Sequence, residues 1–138
     1  MKFKYSFFLL TLLILACSTN NDDDSQVNQN EETDIMEEVD LYEGSFVSAA
    51  HPTSGKAIVN EEHTILAFTN FKTDSGPILE VYLATDTNAS DYISLGELQG
   101  IEGDFDYSLP EGVNFETHKF VLIWCVDFSV NFGHAILE

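Results

Sequence analysis

Among 138 residues the side chains best suited to nucleophilic, redox or soft-metal chemistry are two cysteines, Cys17 and Cys125, and four histidines, His51, His63, His118 and His134. The first cysteine has an evident use. Lys2 and Lys4 precede an apolar run from Tyr5 to Ala16 that stops at Cys17. A run of about 12 residues suits a secretory leader and falls short of the roughly 20 that span a bilayer. Leu13-Ile14-Leu15-Ala16 before the cysteine resembles a bacterial lipobox. Residues 1–16 are therefore expected to be a lipoprotein-type signal peptide and Cys17 the lipidated N-terminus of the mature chain. Once lipidated, Cys17 cannot form a disulfide, and Cys125 is left as an unpaired thiol in an oxidising envelope.

A reactive thiol needs thiolate character, supplied by a nearby Lys, Arg, protonated His or helix N-terminus. The chain has no arginine, and Asp127, two residues beyond Cys125, opposes ionisation. A histidine brought close by folding would reverse that, and His51 is the candidate. Two readings of Cys125 stay open: a redox thiol partnered by His51, or a packed core residue. His51 with Cys125 would make a two-ligand soft site suited to copper, which is too few ligands to assert one. The histidines show no i, i+2 or i+4 spacing among themselves, so no metal or other cofactor is evident.

The stretch DTNASDYISLGE aligns Asp86, Asn88, Ser90, Tyr92, Ser94 and Glu97 with the ligand positions of a 12-residue calcium loop. Asp91 stands where that loop needs glycine, and the flanks read as strands, so a polar hairpin loop is the competing reading. There is no G-x-S-x-G, H-E-x-x-H or phosphate-loop pattern, and stand-alone catalysis is not expected.

The elements that must position these groups begin after a spacer. Residues 18–40 hold nine acids, no base, and only Val27, Ile35, Met36 and Val39 as sizeable apolar groups. Such a segment buries too little to offset its ordering entropy, so residues 17–40 are expected to be a lipidated, flexible acidic tether. CSTNNDDD further resembles a signal that sends lipoproteins to the outer face of the outer membrane, which implies a lipid-anchored, surface-exposed protein of the cell envelope. The domain is expected over residues 41–138, with 15 acids against Lys56, Lys72 and Lys119, a balance of −12. That charge excludes nucleic acid as a partner and disfavours direct contact with anionic headgroups. Membrane association through the lipid, and a redox or other protein partner in the envelope, remain.

Within the domain the period is two. Phe105, Tyr107 and Leu109 alternate with Asp104, Asp106 and Ser108; Leu79, Val81 and Leu83 share one face; Leu66 and Phe68 point inward with Thr69 outward. Turn-rich runs separate these segments, which predicts an all-β domain, a single antiparallel β-sandwich or barrel of about 7–9 short strands. Read as one strand, Phe120 to Phe132 carries an apolar face through Trp124 and Val126, which predicts a buried Trp124. Val121, Ile123 and Cys125 fall on the other face, followed by Asp127, which places Cys125 near a rim.

The order of EGSF, HPTSGKAIV, TNFKTDSGPILEVYL, LGELQGIEGDFDYSLP and VLIWCVDFSVNFGHAIL resembles the electron transfer DM13 domain family, found beside DOMON domains and in bacterial lipoproteins. The most specific features are Gly44, His51 with Gly55, Asn70-Phe71, Tyr107 with Leu109-Pro110, and Trp124-Cys125. The resemblance implies a β-rich domain with a redox or electron-transfer accessory role centred on the cysteine, with Gly44, Gly55, Pro110 and Trp124 as structural positions.

Overall fold

The computed structural model describes residues 41–138. The described residues form nine strands: β1 (Glu43–Ser45), β2 (Val47–Ser48), β3 (Ser54–Val59), β4 (Ile65–Lys72), β5 (Leu79–Ala84), β6 (Tyr92–Glu97), β7 (Glu102–Ser108), β8 (Phe120–Cys125) and β9 (Val130–Ile136). They pair antiparallel throughout, in a four-stranded sheet ordered β1-β3-β4-β7 and a five-stranded sheet ordered β2-β9-β8-β5-β6. The domain is an all-β sandwich, one of the two all-β forms that the period-two pattern allows.

The inner faces carry the residues that the alternation selected. Leu66 and Phe68 of β4, Val81 and Leu83 of β5, and Tyr107 of β7 are buried in one cluster between the sheets, while Asp106 and Ser108 are exposed. Phe46 sits where the chain leaves the first sheet for the second. It is buried and meets Phe68 and Phe71 edge-on, with ring centroids 4.9 and 5.1 Å apart.

Two glycines of the recognised motifs mark close approaches. A Cβ on Gly44 would run into the Ile136 carbonyl, where β1 crosses β9. Gly55 has φ of 113° and lies at the irregularity between β3 and β4, where a Cβ would come within 2.7 Å of the Phe71 Cα. Asn70, the other partner in that irregularity, has φ of 49° and donates its N–H to the Asp104 carboxylate at 2.6 Å. Asparagine tolerates this left-handed backbone better than most residues. Tyr107 closes a further corner: its buried hydroxyl accepts the Gln99 N–H at 3.0 Å. Pro110 is exposed just beyond the end of β7, where it ends the ladder.

The last third departs from the single strand expected over Phe120–Phe132. The chain turns at Val126–Ser129, with Ser129 in the left-handed region at φ of 52°, and returns as β9. Asp127 therefore leaves the strand and is exposed in the turn, and Phe128, expected on an apolar face, is 70% exposed at its tip. The faces of β8 are also exchanged relative to expectation. Val121, Ile123 and Cys125 point into the core between the sheets, while Leu122 and Trp124 lie on the outer face beside Tyr82 and Ala84. β8 is central in its sheet and apolar on both sides, so alternation could not say which side was inner. Trp124 is only half-buried.

Candidate functional site

Cys125 ends β8, with Leu79 of β5 and Val130 of β9 as its ladder neighbours. It is 0% exposed and is a free thiol within the main core. It is last in its strand, beside the turn, yet fully covered. Among the described residues no hydrogen bond or ion pair reaches its sulfur.

His51, on the loop between β2 and β3, has other partners. Its Nδ1 lies 3.0 Å from the Asp74 Oδ2, and its ring stacks on Phe132 with centroids 3.8 Å apart. The carboxylate that orients it went unnoticed in the sequence because Asp74 is 23 positions away, in a loop that reads as a plain turn. His51, Ser75, Gly76, Pro77, Phe128, Val130 and Phe132 line an open cleft of about 270 Å³. Val130 belongs both to this cleft and to the surroundings of Cys125, so the thiol lies close beneath the cleft without opening into it.

The calcium-loop residues are not gathered. The Asp86 Oδ1 accepts the backbone N–H groups of Asn88 at 2.9 Å and Ser90 at 3.1 Å. The Ser90 hydroxyl, then these backbone donors, hold its carboxyl below the usual range. Tyr92 to Glu97 are extended in β6, which at about 3.3 Å per residue carries Glu97 away from Asp86. The loop closes as a polar hairpin, with Thr85 N–H bonded to the Asp91 carbonyl at 3.0 Å.

The remaining histidines serve separate neighbourhoods. His63 packs on Tyr42 and Phe115, His118 Nε2 lies 3.7 Å from Asp91, and His134 stands beside Phe120. Burial holds the His134 pKa down, and its Nδ1 has no partner among the described residues. No group of three or more His, Cys, Asp or Glu among the described residues is placed to hold a metal ion. Trp124 joins a row of rings across three strands, 6.1 Å from Tyr82, which stacks on Tyr92 at 4.1 Å. Burial, then the charge of Glu80, raises the Tyr82 hydroxyl pKa, so it remains protonated. Cys17 and the tether lie outside the described residues.

The site is therefore one packed thiol below a small His-lined cleft, on an antiparallel β-sandwich. Residues 45–137, about two thirds of the chain, match the family described as Electron transfer DM13, and the chain belongs to that family. No match was found among curated proteins or solved structures.

Proposed function

We propose that this chain is a lipid-anchored accessory of an envelope electron-transfer system that works by engaging a protein partner, with Cys125 a packed core thiol. The family supports the electron-transfer setting, and the lipobox-like Leu13–Cys17 supports the anchor. The observation that carries the assignment of the thiol is its complete burial with no basic group bonded to it. A thiol so placed behaves as a small hydrophobe.

The test is native-state alkylation of the full chain. A packed Cys125 reacts only through opening of the sandwich, so labelling slows and accelerates in step with global stability as denaturant is varied. Labelling that is insensitive to low denaturant would overturn this assignment. That result would favour the second reading, in which Cys125 is itself the redox group and the four-residue turn next to it opens locally. The proximity of the thiol to that turn is the one observation in favour of the second reading. The anchor is tested separately: the chain takes up labelled palmitate in a Gram-negative host, and Cys17→Ser abolishes both the label and membrane partition.

A further inference from the structure

We propose that the end of the sandwich built from the 73–78 loop, the 98–101 loop and the 126–129 turn docks a soluble electron-carrier protein whose contact face is an apolar patch ringed by lysines. The proposal rests on the partner-engaging role above and identifies the surface and the kind of partner.

Four large hydrophobic residues are exposed at this end: Ile78 at 41%, Ile101 at 46%, Val126 at 38% and Phe128 at 70%. They form one surface. The Val126 N–H bonds to the Ile78 carbonyl at 2.9 Å, joining the turn to the first loop. The Thr73 N–H bonds to the Ile101 carbonyl at 2.9 Å, joining that loop to the 98–101 segment. Two clefts flank Gly76-Pro77. The one of about 250 Å³ is walled by Ile78, Leu98 and Ile101, and the other, of about 270 Å³, by Phe128, Val130 and His51. A soluble domain gains nothing by placing an aromatic ring at a turn tip in water, and contiguous exposed apolar residues of this kind mark interaction sites.

The charge around the patch selects the partner. Asp127 and Glu97 are exposed at its border, as is Asp74, which lies beside His51 at 3.0 Å. The lysine whose strand ends here, Lys72, is bridged to Glu102 at 3.2 Å. Lys56 is paired with Glu43 at 3.5 Å, and Lys119 lies at the far end of β8, over Phe120. A second copy of this chain would bring like charge to like, and an anionic bilayer would be repelled in the same way. An apolar centre with an acidic rim fits an apolar centre with a basic rim. The support is rigid, since Leu79, Cys125 and Phe132 directly below are buried in the core. A preformed patch of modest size suits brief encounters of the electron-transfer type, which bury less than about 1,200 Å².

The probe is mitochondrial-type cytochrome c, a lysine-rich carrier with an exposed apolar haem edge, titrated into the full chain at low ionic strength and followed by calorimetry. Saturable binding is expected. Phe128→Ser, Ile78→Ser and Asp127→Lys should each weaken it by about tenfold, through loss of a central apolar contact or reversal of a rim charge. Tyr92→Ser and Glu61→Lys, exposed elsewhere on the domain, should change it by less than about twofold. The proposal is overturned by absence of saturable binding, by unchanged affinity in Phe128→Ser and Ile78→Ser, or by equal losses in Asp127→Lys and Glu61→Lys. Binding to anionic vesicles or self-association that Phe128→Ser removes would overturn it too, by giving the patch to a different occupant. None of these results alters the alkylation behaviour of Cys125, so the two readings fail separately.

Discussion

Cys125 lies directly opposite Leu79 in the β5–β8 ladder, and both side chains point into the core. One position further, the Val126 N–H to Ile78 carbonyl bond closes the sheet over them. The thiol is thus sealed by the last rungs of its own sheet. Its environment is apolar although acidic residues surround the domain, because the neighbouring carboxylate, Asp127, occupies the turn and not the strand face.

This placement predicts how the site tolerates substitution. Cys125→Val keeps an apolar group of similar volume and should cost less than about 1.5 kcal/mol in urea unfolding. Cys125→Ser puts a hydroxyl where no partner stands and should cost about 1–3 kcal/mol. A serine variant as stable as the valine variant would mean that the sulfur has a polar neighbour or water beside it.

The exchanged faces of β8 give a second outcome. Ile123 is 0% exposed between the sheets, so Ile123→Ala should cost about 2–5 kcal/mol. Trp124, half-buried on the outer face, loses ring stacking with Tyr82 and partial burial, for about 1–2 kcal/mol on substitution by alanine. Asp106→Ala, exposed on β7, should stay within about 0.5 kcal/mol. Denaturation midpoints in that rank order check the assignment of faces, and a larger loss from Trp124 than from Ile123 would refute it.

Gly55 and Gly112 separate backbone strain from crowding. Both have positive φ, 113° and 76°, but a Cβ meets the Phe71 Cα at 2.7 Å in the first case and open space in the second. Gly112→Ala should therefore cost only the conformational strain, about 1 kcal/mol. Gly55→Ala adds displacement of β4 and should cost at least about 2 kcal/mol more, read as a lower midpoint at unchanged unfolding slope.

The depressed pKa of His134 predicts a pH effect of definite sign. Burial disfavours its charged form in the fold, while the unfolded chain titrates near about 6.5. The unfolded state then binds the proton more readily, so this histidine lowers stability as pH falls through that value, and the loss levels off below the folded pKa. Comparing unfolding at about pH 7.5 and 5.5, the wild type should lose more stability than His134→Gln. Equal losses would show that the ring is freely solvated or finds a partner when charged.

What the sequence determined on its own was whatever depends on short-range pattern. Alternation in ILEVYLA and DFDYSLP places Leu79, Val81, Leu83, Phe105 and Tyr107 on inner faces, because side chains in a strand alternate whatever the sheet order. The order of motifs likewise sufficed to recognise the family, whose match covers residues 45–137. Only the tertiary structure decided the rest. β8 is apolar on both sides, so its inner face was set by sheet packing, which buried Cys125 and left Trp124 half-covered. The turn at Val126–Ser129 contains neither glycine nor proline and holds Phe128, so it read as strand. His51 is oriented by Asp74 and Phe132, 23 and 81 positions away, and such a pairing exists only once the loops of both sheets meet at one end of the sandwich.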